Sequence, residues 1–160
     1  MTPDLFVKMS LSAWKTQNTK MDEFLAKLND EELARETAPG RNTGSYLLGH
    51  LTAVNDSLFN FLGLGERMHP ELDDVFLRSP DGSGKEMPGL QQLRAYWSEV
   101  NAALYNKVEA IPPPAWFEKH SAVSEEDFNK EPHRNKLNII LNRTTHQAYH
   151  LGQLAYLLSK

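Results

Sequence analysis

The sequence predicts an all-α fold, a four-helix bundle, and three observations predict it. Apolar residues recur at three-four spacing through four long stretches. No stretch alternates β-branched and polar residues, and no Asn-Gly turn joins two apolar runs. Clusters of Pro and Gly, such as Pro39-Gly40 and Pro112-Pro113-Pro114, fall between the periodic stretches and not inside them. The chain of 160 residues is long enough for one domain with a real core, and it shows no internal repeat or low-complexity tract.

The first helix is expected over Asp4 to Leu28. Pro3-Asp4 suits a helix start, because Pro presets φ and Asp favours the positive end. Val7, Trp14, Met21 and Leu28 repeat heptad by heptad, and Phe6, Phe24 and Leu25 widen the stripe. Asn29 to Leu33 reads as a break and a short helical turn. The second helix is expected from Thr43 or Ser45 to Leu62, with Leu47, Leu51, Val54, Leu58 and Phe61 inward and His50 at the edge of that stripe. Gly63 to Gly89 is a long connection of the kind that covers a site or meets a partner, with room for a short helix over Pro70 to Leu77. Its His69, Glu71, Asp73 and Asp74 are expected to be solvated. The third helix is expected from Pro88 to Ile111, through Leu90, Leu93, Trp97, Val100, Leu104 and Val108. Ala115 to Arg134 is a second long connection, anchored by Trp116, Phe117 and Phe128, and its His120 and His133 are weak ligand candidates.

The last helix, Asn135 to Leu158, carries His146-Gln-Ala-Tyr-His150. Its apolar stripe is expected to hold Leu137, Ile140, Leu141, Ala148, Leu151, Ala155 and Leu158, with both histidines on the opposite side beside Arg143 and Gln153. Only an arc of Asn138, Asn142, Thr145, Tyr149, Gly152 and Tyr156 looks ready for water, so the pair is expected in a polar gap inside a packed structure. Two residues four apart lie about 40° apart around a helix and about 6 Å along it, so both rings can reach one ion. The same spacing suits two surface histidines, or two core histidines held by hydrogen bonds. His50 alone suits a core histidine bonded to a backbone carbonyl.

Composition narrows the function. A net charge of −4 argues against a general nucleic-acid binder, which needs a basic face for phosphates. With no cysteine, disulfides, a Cys nucleophile and thiolate ligands are excluded, so a metal site must use His, Asp, Glu or water. No apolar run of membrane-spanning length is present, and Met1 to Gln17 mixes Lys8, Ser10, Ser12 and Lys15 among its apolar residues, unlike a signal peptide. A cytoplasmic setting is expected.

Ser45-Tyr-Leu-Leu-Gly-His50-Leu and His146-Gln-Ala-Tyr-His150-Leu-Gly-Gln153-Leu resemble the two motifs of DinB/YfiT-like proteins, and the likeness runs over the whole chain in helix order. The resemblance implies a single domain over residues 1–160, an up-down-down-up bundle that is often dimeric, and one divalent metal, usually nickel or zinc. His50, His146 and His150 stand where that family holds its metal. Three neutral imidazoles would leave coordination positions for water or substrate, and Arg143 and Gln153 are candidates for supporting or substrate contacts. The family includes S-transferases and isomerases that use a low-molecular-weight thiol, so thiol-dependent chemistry on a small molecule is the leading expectation. Metal-assisted hydrolysis is an alternative, weakened because only a loop residue such as Glu71 or Asp74 could serve as base. A non-catalytic, metal-binding or stress-associated bundle is the other.

Overall fold

The computed structural model describes residues Thr2 to Leu158, and these are all-helical, with two isolated bridges and no strand. The elements are α1 (Pro3–Lys27), α2 (Asp30–Leu33), α3 (Gly44–Asp56), α4 (Leu58–Leu62), α5 (Leu72–Phe76), α6 (Leu90–Glu109), α7 (Glu125–Lys130) and α8 (Lys136–Leu154). Short 3-10 turns cover Pro113–Phe117 and Ala155–Leu158. None of these helices is long and apolar enough to cross a membrane.

Helix starts follow from side-chain capping. Thr2, Thr43, Ser124 and Asn135 each accept a hydrogen bond from a backbone N–H in the first turn of the helix that follows. Asn29 and Glu32 form a reciprocal capping box at α2. The expected second helix is two helices, α3 and α4, divided at Ser57, whose hydroxyl donates to the Val54 carbonyl (2.6 Å). α7 was not expected as an element. Its Glu125, Glu126 and Asp127 stabilise its positive end, but it buries no residue, so it has no apolar stripe to read.

α1 packs most extensively on α8, and α3 on α6. Two apolar clusters fill the interior. One joins Met21 and Leu25 of α1 to Leu47 and Leu51 of α3, Leu93 of α6 and Leu154 of α8. The other joins Val7 and Trp14 of α1 to Leu58 of α4, Leu104 of α6 and Ile140 of α8. Buried asparagines lie between them. Asn55 Nδ2 donates to Asn101 Oδ1 (2.9 Å) and to Asn18 Oδ1 (3.4 Å), tying α3 to α6 and α1. α6 is also held to α1 by Trp97 Nε1 donating to Asp22 (2.7 Å) and Arg94 donating to the Leu25 and Leu28 carbonyls (both 2.7 Å), which satisfies acceptors left open at the end of α1.

Two expected faces are corrected. α3 has no simple stripe, because every residue from Gly44 to Asp56 except His50 is buried. It is a central helix, covered by α6, α8, α5 and α2. On α8 the buried residues are Leu137, Ile140, Gln147, His150, Leu151 and Leu154, whereas Leu141, Ala148, Ala155 and Leu158 are exposed. The true face is rotated by roughly 55° from the expected one. Gln147 and His150 sit within it as buried polar residues, which hydrophobic periodicity does not count. His150 is therefore on the inward side of α8, and His146 at its edge, while the predicted polar gap is present. The residues expected to meet water, from Asn142 to Tyr156, do so, and Asn138 is half-buried.

Candidate metal centre

His50 comes from the middle of α3, His146 and His150 from successive turns of α8. His50 Nε2 lies 3.1 Å from His146 Nε2, and His150 Nε2 lies 3.1 Å from the same atom. One ring nitrogen from each residue falls within 4.8 Å of the other two. The far nitrogens explain why the rings point this way. His50 Nδ1 donates to the Phe76 carbonyl (2.8 Å), and His150 Nδ1 donates to Gln153 Oε1 (2.6 Å). Each bond places the proton on Nδ1 and leaves the Nε2 lone pair aimed at the centre.

This donor set suits one divalent ion. With protons on Nδ1 of His50 and His150, both Nε2 atoms are acceptors. His146 Nε2 could donate to one of them but not to both, and its own Nδ1 is buried with no partner. A cation shared by three lone pairs removes the conflict. The rings are also in the right charge state. Burial pushes His146 down to about 4, helped by the neighbouring His150 and His50 and by Arg143. Burial also lowers His50, against the pull of its Phe76 bond and with added push from Arg143. Burial lowers His150 in the same way, opposed by its Gln153 bond. All three are neutral ligands at neutral pH.

The carbonyl that orients His50 belongs to α5, inside the first long connection, where a short helix was expected. α5 docks on α3 through Phe76, whose ring is fully buried against Gly49. A Cβ at Gly49 would stand 2.3 Å from two atoms of that ring, so a side chain here excludes the ring. A glycine in the middle of a helix, next to a candidate ligand, was the available signal for this approach. Phe76 itself looked like one more core aromatic. His50 thus satisfies both of its sequence-based readings, as a histidine bonded to a backbone carbonyl and as a member of the trio.

His50 and His146 open onto a cavity of about 460 Å³, walled also by Ser57, Phe61, Arg67, Asp73, Ser121 and Arg143. Arg143 lies over the Phe61 ring at 5.7 Å. Arg67 is fully engaged. Its Nε donates to Asp56 (2.9 Å), and its two Nη groups donate to both oxygens of Asp73 (2.7 and 2.5 Å). Asp56 has no exposed surface and also accepts from the backbone N–H groups of Met68 and His69. Asp73 was expected to be solvated and is instead the structural partner of Arg67. Glu71 and Asp74 are exposed as expected, pair with His69 and Lys85, and line no part of this cavity. His69 stacks on Tyr96 at 3.8 Å, His120 lies edge-on to Phe61, and His133 is exposed; none joins the trio. A larger groove of about 850 Å³ runs along α1 beside Val108 and Trp116 but includes no histidine.

The sequence profile of the DinB superfamily matches residues 13–154, which span all three histidines and both motifs. The chain belongs to the DinB superfamily. A search of curated proteins finds no match. Membership in this superfamily and a convergent three-histidine group compatible with a metal ion are therefore both in place, on one helical scaffold.

Proposed function

We propose that this DinB-superfamily protein is a divalent-metal-dependent enzyme, with nickel or zinc at His50, His146 and His150, and that it uses a low-molecular-weight thiol in an S-transfer or isomerisation of a small molecule. The observation that carries the reading is the convergence of three neutral Nε2 donors at the wall of a cavity. A divalent ion there would supply the Lewis acidity that keeps a thiol ionised at neutral pH. The chain's own part is positional. Phe76 and Gln153 fix the two outer rings, and the cavity walls orient whatever enters. Because the chain has no cysteine, the sulfur must arrive with the substrate. A cytoplasmic setting belongs to the same reading, since thiol pools are kept reduced there.

The hydrolytic alternative has less support. Asp73 is the one carboxylate on the cavity wall, and both its oxygens are committed to Arg67, so no free general base faces the trio among the described residues. A non-catalytic role would leave the adjoining cavity unused.

The scaffold is part of the proposal. α1 and α8 run from the Val7/Ile140 cluster to the Met21/Leu154 cluster, and α3 and α6 run the other way. That order supports the up-down-down-up bundle. A homodimer is supported by exposed Leu5, Phe6 and Met9 on α1 and exposed Leu141 and Tyr149 on α8, two helices that pack on each other.

The test is metal content by mass spectrometry on untagged protein, beside His50→Ala, His146→Ala and His150→Ala. About one ion per chain in the wild type, lost in each variant, followed by metal-dependent conjugation of a thiol to a model electrophile, is the expected result. A wild type that stays empty after loading with nickel and zinc would overturn the metal reading.

A further inference from the structure

The cavity beside the trio has an unbalanced charge. Arg143, one turn before His146 on α8, makes no hydrogen bond or ion pair among the described residues, and its Nε is buried without a partner. Its contact is the face of Phe61, which holds the guanidinium plane but neutralises nothing. Burial disfavours its charge, and no carboxylate compensates. The other wall cation, Arg67, is balanced by Asp56 and Asp73. The three histidines are neutral, so an ion held by them would keep its full charge a short distance from Arg143.

We propose that Arg143 is a carboxylate-binding subsite, and that the small molecule entering this cavity carries a carboxylate alongside the group that reaches the histidines. The inference rests on the reading that this cavity takes the substrate. A guanidinium presents a planar fork that fits the two oxygens of a carboxylate. Its partly buried, partnerless state makes an incoming anion a better partner than the solvent it replaces. The chemistry favours a carboxylate over a phosphate ester. Only one unpaired cation lines the wall, the Asp73 carboxylate stands on the same wall, and the long helices meeting at the trio, α3 and α8, contribute residues from their interiors and not their N-termini. A dianionic phosphate would find one fork and one repelling carboxylate. Phe61 and Leu77 supply the apolar wall against which the carbon skeleton between the two polar ends can lie.

The experiment is a titration of full-length protein with mercaptoacetate and, separately, with mercaptoacetamide, which keeps the thiol and replaces the carboxylate by a neutral amide. It is read on the arginine Nε–H resonances in proton–nitrogen correlation spectra, with zinc and without it. The Arg143 resonance is identified by its loss in Arg143→Gln and in Arg143→Lys, so one variant suffices if the other folds poorly. The expected result is a saturable shift of that resonance with mercaptoacetate and none with the amide, in both forms of the protein. In the zinc-loaded form the wild type prefers the carboxylate by about tenfold or more, and Arg143→Gln loses the preference while keeping its zinc. An Arg143 resonance that ignores mercaptoacetate, or moves equally with both probes, overturns the subsite. Failure to take up either zinc or nickel overturns the metal reading instead, and the metal-free titration still decides the role of Arg143.

Discussion

Gly49→Ala tests how the site is built, because it adds one methyl group at the joint between α3 and α5. The new Cβ would lie 2.3 Å from Cε1 and Cζ of Phe76 and 2.7 Å from Cδ1, where ordinary contact begins at 3.4 Å. The ring must retreat by more than about 1 Å, and it is fully buried, so the displacement is resisted by close packing. Overpacking of this kind costs about 1–3 kcal/mol, and replacing a mid-helix Gly by Ala returns up to about 1 kcal/mol. The net expectation is a loss of about 1–2 kcal/mol in urea unfolding of the metal-free protein. The same movement carries away the Phe76 carbonyl that orients His50, so metal affinity by calorimetry should fall about 10–100-fold. Phe76→Leu removes the two closest ring atoms. In the double variant Gly49→Ala/Phe76→Leu the two changes should therefore cost less together than the sum of each alone, by about 1 kcal/mol or more. If Gly49→Ala stabilises the protein, as helix propensity alone demands, the packing argument is wrong. If it destabilises the protein yet leaves metal affinity intact, the Phe76 carbonyl does not position His50.

Three more outcomes follow from the same structure. Gln153→Leu removes the acceptor for His150 Nδ1 and should weaken metal binding about 10–100-fold with little change in the unfolding of the metal-free protein; equal affinity would show that the 2.6 Å bond is idle. Arg67→Ala leaves fully buried Asp56 without its cation and should cost about 3–5 kcal/mol, read by urea unfolding; a loss below about 1 kcal/mol would mean the Met68 and His69 N–H groups suffice. For pH, the unfolded chain protonates His146 below about 6.5, whereas the native ring, at about 4, resists. Unfolding therefore takes up a proton between those values, and the stability present above pH 6.5 is lost as pH falls towards 4, with His50 and His150 acting in the same direction. The His146 share is about 2 kcal/mol once solvent screening of a partly exposed ring is allowed for. The metal-free wild type should lose more stability from pH 7 to pH 4.5 than His146→Gln does, and parallel curves would refute the assignment.

The sequence by itself determined the helical class, the approximate extent of the long helices, the short helix near Pro70 and the pairing of His146 with His150, while His50 joined them through the family resemblance. All but the last are local properties. Three-four apolar spacing, Pro and Gly punctuation, capping side chains and the four-residue gap between His146 and His150 all act within a few turns of one segment. Only the tertiary structure decided the rest. The rotation of the buried face of α8 arises because His150 turns inward to meet His146 and His50, with Gln147 buried beside it, and hydrophobic periodicity counts neither. That Phe76 would lend its carbonyl to His50, that Asp73 would be consumed by Arg67 and that Arg143 would be left without an anion are matters of which groups meet across the fold. Hydrogen-bond and charge pairing between distant segments leave no periodic trace in a sequence, because their partners are chosen by packing after the helices have formed.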